Sequence, residues 1–383
     1  MKQGWEIKKL GDICSFERGL TYAKGDEVET SSKGVLRSNN VDLSTSTLNF
    51  DEIKYLREDF EIPRKKKVQK GSLLMCISNG SKIHLGKVAL IEEDLDFAFG
   101  GFMGLLTPNE TIVYPKYFYY ALISPAYKFF INSLSDGANI NNLKFADLKS
   151  FDIPIPSLEV QERIVEILDR EFERIDALKA NAEQNLQHAK DLFQSALKQE
   201  LQPKEGWVTM KLGAFAHMKA GDFIKASDIK DEYFEGAYPC YGGNGLRGYV
   251  KEPNRNGEYC LIGRQGALCG NIHIANGVFR ATEHAVVVSP YQKMPIKLIY
   301  YLLVSLNLNQ YSTGAAQPGL SVKNIADNVS ISVPPKDIWN SIALRLEVIE
   351  SNCKALEENY RKTIVLCDDM KQALLRKAFN GEL

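Results

Sequence analysis

Long apolar runs are missing from this sequence. Nowhere in its 383 residues do the ~20 consecutive apolar side chains of a membrane-crossing helix occur. The opening Met1-Lys2-Gln3-Gly4-Trp5 has no apolar leader core. A cytoplasmic location with no membrane partner is expected. Paired-cysteine patterns are missing too. The seven cysteines (Cys14, Cys76, Cys240, Cys260, Cys269, Cys353, Cys367) are odd in number and form no C-x-x-C. That excludes a disulfide framework and a structural zinc site. Charge of one sign is absent as well: 47 basic and 48 acidic residues give a net charge of −1, so no bulk positive field holds a polyanion. Locally, residues 157–202 carry 6 basic and 10 acidic side chains, and residues 203–334 carry 13 and 10. The most basic run, Arg64-Lys65-Lys66-Lys67 with Lys70 after it, reads either as a solvated loop or as a phosphate contact.

Signatures of chemistry are also missing. The sequence contains no P-loop, no Asn/Asp-Pro-Pro-Tyr/Phe, no H-E-x-x-H, no G-x-S-x-G and no His-rich nuclease motif. Its five histidines (His84, His188, His217, His273, His284) are scattered. Glu52-Ile53-Lys54 lacks the Pro-Asp that would make it a nuclease pattern. Gly243, Gly245 and Gly248 formally match G-x-G-x-x-G. A dinucleotide site also needs a strand leading in and a helix opening after the glycines. No strand is expected before them, and Tyr249-Val250 reads as a strand. No catalytic, metal-binding or cofactor-binding residue is therefore expected in this chain.

What the sequence does contain is itself, twice. Gly4-Trp5-Glu6-Ile7-Lys8-Lys9-Leu10-Gly11 returns 202 residues later as Gly206-Trp207-Val208-Thr209-Met210-Lys211-Leu212-Gly213. Pro115-Lys116-Tyr117-Phe118-Tyr119-Tyr120-Ala121-Leu122 is echoed by Ile296-Lys297-Leu298-Ile299-Tyr300-Tyr301-Leu302-Leu303. Gly137-Ala138-Asn139 is echoed by Gly314-Ala315-Ala316, and Phe151–Pro156 by Val329–Pro335. Four echoes in one order mean one plan used twice. The offset falls to about 178, so the first module is longer by about two dozen residues.

Each half closes on a long helical pattern, 158–201 and 336–379. Leu346, Ile349, Cys353, Leu356, Tyr360, Thr363, Cys367, Met370 and Leu374 advance in steps of three and four. Leu168, Glu171, Ile175, Leu178, Ala182, Asn185, Ala189, Leu192 and Ala196 do so 178 residues earlier. Shared heptads predict that the two helices pair, with Glu171 and Asn185 setting register. A helix of ~40 residues spans about 60 Å and makes a stiff spacer. The expected fold is α+β: two mixed α/β domains separated by two long helices pairing as an antiparallel coiled coil. The boundaries are 1–156, 157–202, 203–335 and 336–383, marked by Pro154, Pro156, Pro334, Pro335 and the break at Gln202-Pro203.

Within the modules, Val68–Ile77 and Gly257–Gly263 read as turns into strands. Polar glycine-bearing loops follow them, Ser78-Asn79-Gly80-Ser81-Lys82 and Arg264-Gln265-Gly266-Ala267. Such loops serve either as plain surface turns or as contacts to phosphates and base edges. The glycine-rich Tyr238–Tyr249 segment, with Tyr241, Asn244 and Arg247, suits close approach to a ligand backbone.

These features resemble the specificity (S) subunit of type I restriction-modification systems over nearly the whole chain. The resemblance rests on the Gly-Trp…Lys-Leu-Gly openings, on the proline-ended strand before Gln161-Glu162-Arg163-Ile164, and on the closing Gln372–Leu383 segment. The Ser78–Ser81 and Gly263–Ala267 loops add to it. One departure is Trp339-Asn340, where the first helix has Gln161-Glu162. The resemblance implies two target-recognition domains, each reading half of a bipartite site in double-stranded DNA. It also implies helical regions that dock two methyltransferase (modification) subunits, with restriction/translocase subunits joining them. S-adenosylmethionine, ATP and Mg2+ would then be used by those partners. On this reading DNA is contacted by Arg37, Ser38, Asn39, Asn40, Asn79, Ser81 and Lys82 in the first module. In the second it is contacted by Tyr241, Asn244, Arg247, Arg264 and Gln265. The competing reading is a non-catalytic coiled-coil scaffold whose modules bind protein.

Overall fold

The computed structural model describes residues 4–135, 142–314 and 318–383. The Gly137-Ala138-Asn139 loop and Ala315-Ala316 lie outside the described residues. The chain divides into two compact units, Met1–Ala182 with Lys362–Leu383, and Glu183–Arg361. Each unit holds one module and segments of both long helices. The residues of each long helix are thus divided between the two units.

In the first unit a central antiparallel sheet runs in the order Cys14–Arg18, Met103–Pro108, Leu73–Cys76, Val88–Leu90. The run Leu73-Leu74-Met75-Cys76 is wholly buried because both faces of this sheet are covered. Leu73, Met75 and Leu106 face a core that includes Tyr117, Phe118 and Tyr127 of the helices Pro115–Ala121 and Pro125–Ser135. Leu74, Cys76 and Leu105 face the opposite core. Alternate side chains leave a strand on opposite faces, so continuous apolarity here signals two-sided burial. A second sheet, Glu27–Val28, Lys54–Leu56, Lys33–Leu36, Phe97–Phe99, includes one parallel pair between Lys33–Leu36 and Phe97–Phe99.

The second unit repeats the central sheet strand for strand: Ala216–Ala220, Ala285–Pro290, Tyr259–Gly263, Ile272–Ala275. Cys260, Ile262, Val286 and Val288 face one core, and Leu261 and Val287 the other. Its companion sheet, Gly245–Val250, Tyr238–Gly242, Val278–Ala281, Arg255–Asn256, again has a single parallel pair, Tyr238–Gly242 with Val278–Ala281. Most of the first module's extra length falls between residues 37 and 72, which correspond to the shorter 242–258.

The repeated openings have a shared job. Glu6–Lys9 pairs with Asp152–Ile155, and Val208–Lys211 with Ser330–Val333. Each clamp joins the start of a module to the strand before its long helix. Gly4 and Gly206 stand in the left-handed region at φ 85° and 83°, where a side chain is strained. The adjacent Trp5 and Trp207 pack on their respective cores.

The long helices are Leu158–Glu200 and Trp339–Phe379, the second entered through a 3-10 turn at Lys336–Ile338. In the first unit Asp176 pairs with Lys371 at 2.5 Å and Lys179 with Asp368 at 2.7 Å, an antiparallel progression. In the second unit Glu200 meets Arg345 at 2.7 Å, and Leu197 and Leu201 share a core with Ile342 and Leu346. The expected antiparallel pairing is thus present within each unit, but its register differs from the predicted one. Leu178 and Leu192 are 47% and 53% exposed, and Leu356 and Met370 are 39% and 48% exposed. The inward positions are Leu168, Ile175, Ala182 and Ala189, with half-buried Phe172, Lys179, Leu186 and Phe193 four residues after each. The C-terminal helix does the same with Leu346, Cys353, Cys367 and Glu350, Glu357, Lys371. Steps of four turn the seam one residue past the predicted one. Small residues at the tight positions, and lysine stems that bury their methylenes while their amines reach a carboxylate, make that register fit.

The departure at Trp339 has a physical account. Gln161 is fully buried. Its amide donates to Pro156 O at 2.9 Å and Ile112 O at 3.0 Å, and its oxygen accepts from the Tyr114 N–H at 2.8 Å. Trp339 takes over the proline carbonyl alone, its indole N–H donating to Pro334 O at 2.8 Å.

Candidate nucleic-acid interface

Three loops meet at one end of each module. The first follows the strand Lys33–Leu36 or Tyr238–Gly242. The second follows Leu73–Cys76 or Tyr259–Gly263. The third is a tight turn that carries the chain from one sheet to the other, at Gly100-Gly101-Phe102 or Thr282-Glu283-His284. Backbone hydrogen bonds show the equivalence. Gly100 N donates to Leu36 O and Thr282 N to Tyr241 O, both at 2.9 Å. Ile77 N donates to Phe102 O and Arg264 N to His284 O, both at 3.0 Å.

In the first module these loops border a cleft of about 1450 Å³. Of the sequence-predicted residues, Arg37, Ser38, Asn39, Asn79 and Ser81 line it. Asn79 donates to Ser38 Oγ at 2.9 Å and accepts from the Ser81 N–H at 2.9 Å, so two separate loops are locked together. Arg37 keeps a buried Nε with no partner among the described residues. Asn40 is fully buried. It accepts from the Arg37 N–H at 2.9 Å and donates to Asn49 O, so it shapes the loop from beneath. Lys82 is exposed in the 3-10 turn Lys82–His84 and is not among the cleft-lining residues.

The cleft also gathers residues that the sequence reading missed: Arg18, Lys24, His84, Lys87 and Phe102. Arg18 donates to Gly101 O at 3.0 Å and so braces the turn. Phe102 stands 69% exposed amid these polar groups. Burial, and secondarily Lys87, pushes the His84 imidazole down. Burial likewise lowers the Lys87 amine. Hydrogen bonds from Ser44 and Thr45 hold Asp42 down to about 2. The basic run outside the cleft is partly spent on structure, since Lys66 pairs with Glu17 and Lys67 with Asp96.

In the second module Tyr238–Gly242 and Gly245–Val250 form a hairpin around Gly243-Asn244. A strand therefore does lead into the glycines, contrary to the sequence expectation. A strand also follows them, so no helix opens toward a phosphate. The Gly243 backbone lies so close to Gly263 that a Cβ there would sit 1.9 Å from Gly243 O. The first two loops are thereby pressed together. Asn271 donates to Asn244 at 3.3 Å. Asn244, Arg247 and Gln265 are exposed and Arg264 is half-buried. Tyr241 is half-buried and packs edge-on against Phe279, centroids 5.5 Å apart. His273, Glu283 and His284 were not singled out from sequence. The third turn shares no residue identity between modules, and only the hydrogen-bond equivalence reveals it.

The family described as type I restriction modification DNA specificity domain matches residues 2–188 and 204–365. The chain belongs to this family: it is a non-catalytic specificity subunit of the type I restriction-modification kind, with two recognition modules. The EcoprrI specificity subunit of Escherichia coli is 40% identical over 218 residues, 54% of this chain and 52% of that one. That match spans about half the length of either protein. The StySPI specificity subunit of Salmonella potsdam is 26% identical over 424 residues, covering 100% of this chain and 90% of the other. The fold is shared with a chain solved in work on assembly and conformational transition of the type I R-M system (TM-score 0.81, 20% identity, 100% and 99% of the two chains covered). It is shared also with the HsdS subunit from Thermoanaerobacter tengcongensis (TM-score 0.62, 19% identity, 100% and 98% covered).

Proposed function

We propose that this chain reads a bipartite site in double-stranded DNA, one half with each module, on behalf of two methyltransferase subunits and of restriction/translocase subunits. The observation that carries the reading is the same three-loop constellation built twice, in a family of DNA specificity domains. Arg37, Ser38, Asn39, Asn79 and Ser81 would contact the first half-site, and Asn244, Arg247, Arg264 and Gln265 the second. Arginine, asparagine and glutamine suit base edges because they bond them bidentately. The partners use S-adenosylmethionine, ATP and Mg2+ in the cytoplasm. Their docking is supported by large apolar side chains on the long helices that face outward: Val365 (60% exposed), Leu366 (57%) and Leu178 in the first unit, Leu344 (62%), Val348 (52%) and Leu192 in the second. Exposed apolar groups of this size suit a protein partner.

The test is co-expression with its methyltransferase subunit and sequencing of modified bases in the host DNA. A single motif of two short halves around a fixed gap is expected. Replacing residues 206–334 by those of a relative should change one half only. A motif that is not bipartite, or an exchange that alters both halves, would defeat the reading.

A further inference from the structure

Phe102 is an apolar ring held out among polar groups. It is 69% exposed and lines the first module's cleft together with Arg37, Ser38, Asn79 and Ser81. A lone apolar side chain on an open surface is ordinary. Phe102 differs in how firmly its backbone is fixed. Its carbonyl accepts from the Ile77 N–H at 3.0 Å and from the Ser78 N–H at 3.1 Å. Arg18 Nε donates to Gly101 O at 3.0 Å, and the Met103 N–H donates to Gly100 O at 2.8 Å. The turn also lies close against the strand end beside it, since a Cβ on Gly101 would sit 3.3 Å from both Leu20 O and Thr21 Oγ1. The ring thus leaves a backbone anchored to the second loop, and Asn79 ties that loop to Ser38 of the first at 2.9 Å. A group held in place before binding loses little freedom on binding.

The base-pair edges in the major groove are hydrogen-bonding groups with one apolar feature, the C5-methyl of thymine. A single ring set among arginine, asparagine and serine side chains matches an edge that is polar around one methyl. The other use of an exposed phenylalanine is as a wedge between base pairs, made from the minor groove into kinked DNA. A wedge has to stand proud of its surroundings, whereas Phe102 lines a concave surface. Among the described residues that line the cleft, Leu43 is the other exposed large apolar side chain, at 45%.

We propose that Phe102 recognises the C5-methyl of one thymine in the first half-site and so selects an A·T pair there. In the second module the same place in the turn holds His284, which is half-buried and whose carbonyl accepts from the Arg264 N–H as that of Phe102 does from Ile77. The methyl contact therefore belongs to the first module alone.

This inference rests on the DNA-reading function above, and its test separates the two. The full chain in complex with its methyltransferase subunit is assayed for binding to duplexes of its own motif. The first half-site is the half that exchanging residues 206–334 leaves unchanged. Each thymine in it, on either strand, is replaced in turn by uracil, which lacks only the methyl group. One uracil should weaken binding about 4-fold, the worth of one buried carbon group. Phe102→Ala should weaken binding to the thymine duplex and abolish the thymine–uracil difference at that position. Phe102→Asn, polar at the same exposed place, should do the same, and Leu43→Ala should leave the difference intact. The assignment is wrong, although the bipartite reader stands, if the first half-site holds no thymine or if no uracil position matters. It is wrong also if the difference survives both Phe102 variants, or if Leu43→Ala removes it. If the unmodified complex yields no bipartite motif, both readings fall.

Discussion

Gln161 and Trp339 occupy the same place in the two halves and show how one structural task survives a change of residue. Gln161 serves three backbone groups and Trp339 serves one. Gln161→Ala should therefore cost about 2–4 kcal/mol by leaving buried backbone groups unpaired, and Trp339→Phe only about 1 kcal/mol. Urea unfolding measures both, and equal losses would contradict the account. Glu350 makes a second prediction at this scale. Burial alone would raise its carboxyl. Hydrogen bonds from Lys354 and from the Tyr301 hydroxyl, each at 2.8 Å, outweigh this and hold it below the ordinary glutamate range. The resulting stabilisation is complete above about pH 4.5 and is lost as pH falls through the depressed value. Glu350→Gln should flatten that part of the acid limb in a pH series of thermal melts and leave the rest of the profile in place.

At the scale of elements, the seam of the long helices tests register. Ala182 is buried and Leu178 is 47% exposed. Ala182→Leu should overpack the pair and cost about 1–3 kcal/mol. Leu178→Ala should shift stability by no more than about 0.5 kcal/mol, while weakening co-purification with the methyltransferase subunit. A seam that included Leu178 would instead make Leu178→Ala cost about 2–5 kcal/mol in thermal melts. The heptads themselves were legible in the sequence. The extra residue of rotation was not, because Leu178, Leu192, Leu356 and Met370 are apolar whether they face a partner helix or a partner protein.

At the scale of the molecule, distant parts of the chain complete each core. Leu375 and Ala378, near the C-terminus, are buried in the core of the first module. Deleting residues 371–383 should therefore loosen the N-terminal module. Limited proteolysis would then cut within residues 4–135 before it cuts within 206–314. Cleavage in the opposite order would count against the shared core.

The sequence by itself determined the repeat, the two modules, the long helices and the polar loops, since these are written in local pattern: apolar runs, glycine and proline punctuation and heptads. It also placed Arg37, Asn79, Arg264 and Gln265 on loops that the fold brings to one end of each module. Only the tertiary structure decided that Asn40 lies inside, that Lys82 stands outside the cleft, that Phe102 lines it, and that Glu283 and His284 occupy the equivalent turn of the second module. Their turn crosses between two sheets, and its position is set by strand pairing across dozens of intervening residues. No local pattern encodes such pairing, and no shared residue marks the turn in the two halves.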